Sequence, residues 1–142
     1  MPLESGRAED VGDQEHLARF AISKSQFSRQ SRRPKPALLS PNPYVELSLS
    51  RIDGLPSEKV QELGDDVAVK RGKLAALGYA AMKAEMPRAV GLDVIADEPL
   101  LHHCNITGWA DSTDPAEKKR CQIQTAKALI EEMGDASMNF FG

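Results

Sequence analysis

At 142 residues, with 41% hydrophobic and 27% charged side chains, the chain has the composition of one globular domain able to bury a core. No run approaches the roughly 18 apolar residues of a membrane helix, and no basic region followed by an apolar stretch opens the sequence, so neither a membrane span nor a secretory signal is expected. The net charge of −3 is unevenly spread: between Leu17 and Pro43 stand Arg19, Lys24, Arg29, Arg32, Arg33 and Lys35 with no acid among them, a basic block on an acidic body.

Residues 1–13 are polar and read as a disordered lead-in. Residues 14–134 read as a single α+β domain, and residues 135–142 as a C-terminal tail. Leu17-Ala18-Arg19-Phe20-Ala21-Ile22 is a first strand. Ser23 to Asn42 is rich in Ser, Arg and Pro; with Pro34, Pro36 and Pro41 removing backbone donors, a long extended loop is expected. From Tyr44 to Ile52, Val45, Leu47 and Leu49 alternate with Glu46, Ser48 and Ser50, the clearest strand pattern in the chain. Ser57 caps a short helix that Gly64 stops.

Val67-Ala68-Val69 suggests a further short strand, and Lys70-Arg71-Gly72-Lys73 a charged turn. Leu74 to Met86 holds good helix formers, ended by Pro87. Gly91 to Ala96 is a strand leading into a second one at His103 to Thr107. Asp114, Pro115 and Glu117 then open a long helix in which Ile123, Ala126, Ile130 and Met133 recur at helical spacing before Gly134. The fold class expected is α+β: four or five short strands in one sheet, with two or three helices on one face.

Chemistry concentrates between Asp97 and Trp109, which holds two of the three histidines, one of the two cysteines and the only tryptophan. Read as a strand, this stretch puts His103, Asn105 and Thr107 on one face, and Cys104 and Ile106 on the other with His102. The first three are candidate ligand contacts, or they satisfy nearby backbone groups; His103 is the candidate acid/base. Cys104 and Cys121 read as free thiols, Cys104 as a small core residue. Asp97 and Glu98 before Pro99 read as turn residues. No spacing matches a zinc motif, and no Gly-rich phosphate loop or nucleophile elbow is present, so no metal or cofactor is expected.

The basic block offers Arg29, Arg32, Arg33 and Lys35 for phosphates, with Phe20, Phe27 and Tyr44 as rings to stack on bases. A nucleotide or short single strand suits an acidic body better than extended duplex. Arg19 and Arg51 are further candidates to steady an anion.

Three strings, Glu46-Leu47-Ser48-Leu49-Ser50-Arg51-Ile52-Asp53-Gly54-Leu55, Gly91-Leu92-Asp93-Val94 with Asp97-Glu98-Pro99, and His103-Cys104-Asn105-Ile106-Thr107-Gly108-Trp109, together resemble a pattern in short bacterial proteins with no known activity. The resemblance spans residues 17–130. It implies a bacterial, cytoplasmic, stand-alone domain and carries over no catalytic residue.

Two readings of function follow. One is a binding or accessory protein that holds a phosphate-bearing ligand through the basic loop and the His103–Asn105 face, with a protein partner or a second copy also open. The other is a small enzyme (a nuclease, phosphotransferase or glycosyl-type transferase) with His103 as acid/base and Arg19 or Arg51 as anion stabiliser.

Overall fold

A computed structural model describes residues 10–97 and 102–141. Its centre is a six-stranded, fully antiparallel sheet of β1 (His16–Ala21), β4 (Leu47–Arg51), β5 (Gly78–Lys83), β6 (Asp93–Ala96), β7 (His103–Thr107) and β8 (Met138–Phe140), in the order β6-β7-β4-β1-β5-β8. A two-stranded ribbon, β2 (Phe27–Ser28) with β3 (Arg33–Pro34), stands beside it. The helices are α1 (Pro36–Leu39), α2 (Ser57–Lys70), α3 (Glu85–Ala89) and α4 (Pro115–Met133). The class is α+β as expected, with six strands in the main sheet where four or five were expected.

The helices divide between the two faces, against the expectation of one. Leu17, Leu47, Leu49, Cys104 and Ile106 point to the face covered by α4, where Ala126, Leu129, Ile130 and Met133 are buried with Leu38 and Leu39 of α1. Burying each large side chain contributes about 1.5–3 kcal/mol, and α4 presents them at the predicted spacing. Asp114 caps it by accepting from the Ala116 N–H at 3.0 Å. On the opposite face, Ala18 and Phe20 of β1 pack against Val60, Leu63 and Val67 of α2.

The differences from expectation have physical reasons. Helix α2 runs through Gly64 to Lys70, so Val67-Ala68-Val69 is its last turn and no strand. Val60, Gly64 and Ala68 are its buried positions, four apart, and that helical period outweighs two β-branched residues. Gly64 is required by contact: a Cβ there would lie 2.7 Å from the Phe20 ring. The Ala-rich stretch expected to be helical is β5, with Gly78, Ala80 and Met82 buried on alternate positions, because six-residue pairing with β1 outweighs helix propensity. Gly78 is needed there because any side chain would collide with the Asn139 carbonyl of β8.

The Ser/Arg/Pro stretch is no extended loop. Ser23 and Gln26 form a reciprocal capping box around a 3-10 turn at Lys24–Gln26, followed by the ribbon and α1. At the ends, residues 1–9 of the expected lead-in lie outside the described residues, but Val11 is buried in the core and Asp13 pairs with Arg88 at 2.6 Å. The expected tail contributes β8. Cys104 and Cys121 are both free thiols, Cys104 buried.

Candidate functional site

Helix α2 covers only the β1–β5 half of its face. Over β4, β7 and β6 that face is left to polar side chains, set in rows by the register. Ser48 lies opposite Asn105 and Ser50 opposite His103; Ile95 follows Asn105 in the next strand, and Asp93 lies beside Thr107. Continuing the register of β4 one step brings Glu46 level with Thr107. The predicted row of His103, Asn105 and Thr107 is therefore present and half-buried, while Cys104 and Ile106 are sealed on the α4 side. His102, half-buried, occupies the turn before β7 at φ 61°.

His103 has an orienting partner that sequence reading missed. Asp97, taken there as a turn residue, donates its backbone N–H to the His103 carbonyl at 3.2 Å, and its Oδ2 lies 2.7 Å from His103 Nδ1. Both side chains are 28% exposed. With Nδ1–H donated to the carboxylate, Nε2 keeps the lone pair for a proton, so the pair has the layout of an oriented base. Glu98 lies outside the described residues. Ser48 Oγ donates to Asn105 Oδ1 at 3.2 Å, which leaves the amide nitrogen free to donate to a ligand.

The cationic wall comes from Arg19, Lys70 and Arg71. The β1–β4 pairing is recorded at Leu17–Arg51 and Ala18–Ser50; one residue on, Arg19 fills the gap where the strands part. Its Nε donates to the Leu38 carbonyl at 3.0 Å and one terminal nitrogen to the Ser48 carbonyl at 3.1 Å. Burial, with Arg71 nearby as a second cause, pulls its pKa down to about 10. Among the described residues no carboxylate forms an ion pair with Arg19, Lys70 or Arg71. Among the described residues the Arg19 charge is answered by the neutral carbonyls of Leu38 and Ser48, an arrangement that favours an incoming anion.

These groups line two adjoining hollows. One, of about 190 Å³, is bounded by Ser48, Ser50, His103, Arg19, Lys70 and Arg71. The other, of about 450 Å³, shares Arg19, Ser48 and Arg71 and extends past Asn105 to Ser40, Asn42, Tyr44 and Glu46. Thr107 lies outside both.

The remaining sequence candidates sit elsewhere. Arg51 is 1% exposed on the α4 side, its guanidinium clasped by Glu15 through Nε–Oε2 at 2.6 Å and a second bond at 2.8 Å; it braces the core and offers no face to a ligand, which corrects its assignment as an anion stabiliser. Arg29, Arg32, Arg33 and Lys35 lie on and around the β2–β3 ribbon against α4, away from the His103 row. Arg33 pairs with Glu131 at 3.3 Å and Asp135 at 3.7 Å, while Arg29 and Arg32 lie over the Phe140 ring at 4.5 and 5.9 Å. A hollow of about 500 Å³ adjoins them between the ribbon and α4. Lys35 and Lys127 line it beside Arg33, but its exposed surface is mainly apolar and Arg33 already holds two carboxylates, so the polar groove has the stronger claim on an anion.

Lys70 and Arg71 were read as a charged turn; their place beside Arg19 follows from where α2 ends. Among the described residues no cluster of three or more His, Cys, Asp or Glu is arranged to hold a metal ion, and no helix is long and apolar enough to cross a membrane. In comparisons with known proteins the chain matches no protein family, no curated sequence and no solved structure.

Proposed function

We propose that this chain is a binding protein for a phosphate-bearing small ligand, held in the groove between the open half of the sheet and the end of α2. The observation that supports it is the set of three cations, Arg19, Lys70 and Arg71, beside a polar sheet face with no carboxylate paired to them among the described residues. Guanidinium forks match phosphate oxygens bidentately, and Arg19 is already held in place by two carbonyls, so less ordering is needed on binding. Asn105 and Ser48 orient the rest of the ligand. The β2–β3 ribbon stands outside this site. A bacterial cytoplasmic setting belongs to the same proposal, on the resemblance alone.

Calorimetric titration with inorganic pyrophosphate tests it: binding weakens as salt rises, and Arg71→Ala weakens it at least tenfold. Affinity that ignores both salt and Arg71 overturns the proposal.

A second reading is favoured by the His103–Asp97 pair. In it Asp97 orients the imidazole, and His103 Nε2 takes a proton from a water or hydroxyl as its oxygen bonds to phosphorus. The ester P–O bond breaks and its oxygen leaves as the alcohol with a proton from water, while Arg19 with Arg71 stabilises charge on the phosphoryl oxygens. Turnover of a phosphate ester that His103→Ala abolishes while ligand affinity persists would establish the enzyme; an unconsumed ligand bound equally well by His103→Ala and wild type leaves the binding protein.

A further inference from the structure

The groove has two chemically different ends. Glu46, Ser48 and Ser50 follow one another along the same face of the β4 segment, so Glu46 stands roughly 13 Å from Ser50 at about 3.3 Å per residue. At the Ser50 end are His103 and Lys70; at the other are Glu46, Asn42 and Tyr44; Arg19, Ser48 and Arg71 line both. A carboxylate lining an anion site repels a simple phosphate. It suits a ligand that is anionic at one end and rich in hydrogen-bond donors at the other.

Tyr44 carries this further. The residue is 72% exposed, yet its backbone is pinned from behind. Gln122, itself fully buried, donates to the Tyr44 carbonyl at 2.9 Å, and Lys118 Nζ donates to the Pro43 carbonyl at 2.8 Å. An exposed aromatic ring on a backbone anchored in this way, at the wall of a polar hollow, offers a face on which a flat ligand can stack. Glu46 is likewise exposed and has no ion-pair partner among the described residues.

We infer that the larger compartment is a nucleobase pocket and that the ligand is a guanine nucleotide. Its phosphate lies beside Arg19 and Arg71, its base stacks on Tyr44, and the Glu46 carboxylate reads the base edge. Guanine is the base that fits a carboxylate: its adjacent N1–H and N2–H₂ donate to the two carboxylate oxygens together. Adenine sets acceptors beside its amine, and uracil flanks its single N–H with carbonyls. A sugar phosphate satisfies the cations and can answer Glu46 with its hydroxyls, but it offers the Tyr44 ring no flat base to stack on. The inference rests on the phosphate-binding reading above.

Calorimetry with GMP, AMP, UMP, ribose 5-phosphate and pyrophosphate, on the wild type and on Tyr44→Ala and Glu46→Gln, tests it. GMP binds at least tenfold more tightly than ribose 5-phosphate, a gap that Tyr44→Ala closes without changing the ribose 5-phosphate affinity. Glu46→Gln removes about tenfold of the preference for GMP over AMP and UMP. Equal affinity for GMP and ribose 5-phosphate overturns the base pocket and leaves the phosphate site standing. Equal affinity for GMP and UMP overturns the assignment of guanine. Binding by none of the five, pyrophosphate included, overturns the phosphate reading and this inference together.

Discussion

The molecule has two basic regions, and they have opposite characters. Around the β2–β3 ribbon, Arg33 is paired with Glu131 and Asp135 and lies against α4, and Arg29 and Arg32 lie over the face of Phe140, while Arg29, Arg32 and Lys35 have no carboxylate partner among the described residues. In the groove, three cations from two distant segments converge with no paired carboxylate among the described residues, and the burial of one of them depresses its pKa. A cluster of like charges in sequence therefore says little about where a ligand binds. Charge that the structure gathers from separate segments around one polar hollow says more.

The contrast can be broken most forcefully at a third cation, Arg51. Glu15→Ala takes a bidentate carboxylate partner from a buried guanidinium, and denaturant unfolding should show a loss of about 3–5 kcal/mol. A loss below about 1 kcal/mol would mean that Arg51 is not dependent on Glu15.

The two thiols sharpen the same distinction between sealed and open groups. Burial raises Cys104 from an ordinary value of 9.0 to about 12. Between those values the unfolded thiol has lost its proton and the folded one retains it, so the unfolded state binds fewer protons and stability falls as pH rises. The slope from this group approaches about 1.4 kcal/mol per pH unit. Unfolding measured from pH 8 to pH 11 should fall less steeply in Cys104→Ala than in the wild type, and alkylation of the native protein near neutral pH should mark Cys121 first.

Smaller effects separate the two basic regions directly. Arg33→Ala, which breaks pairs to exposed partners, should cost less than about 1 kcal/mol and leave pyrophosphate affinity unchanged. Arg71→Ala should change stability by no more than about 0.5 kcal/mol, because no paired carboxylate is lost, while affinity drops. If Arg33→Ala weakens binding and Arg71→Ala does not, the ribbon is the site and the comparison is reversed.

What could be read in the sequence was what local periodicity controls. The α4 stripe with its Asp114 cap, the β4 alternation and the two faces of β7 were all visible, because each depends on neighbours within a few residues. Strand β5 was not, since six residues rich in alanine become a strand only through pairing with β1 far away in the chain. The site divides in the same way. His103, Asn105 and Arg19 stood out as residue types, whereas Asp97 acquires its role from the β6–β7 register and Lys70 and Arg71 from the end of a helix longer than Gly64 had suggested. Arg51 misled because a guanidinium in the sequence looks the same whether it will meet a ligand or Glu15.

Gly64 has a consequence beyond packing. Helix α2 rests on the Phe20 ring at this one point of bare backbone, and Lys70 lies about 9 Å further along the helix at 1.5 Å per residue. The contact acts as a fulcrum. A methyl group added there forces the Phe20 ring or the helix to shift, and where the helix yields, its far end, bearing Lys70 and Arg71, travels with it. The distance of those two cations from the His103 row then depends on a residue that lines neither hollow. Under the proposed function, affinity in this groove would be adjustable from the core, by changes no inspection of its lining would single out.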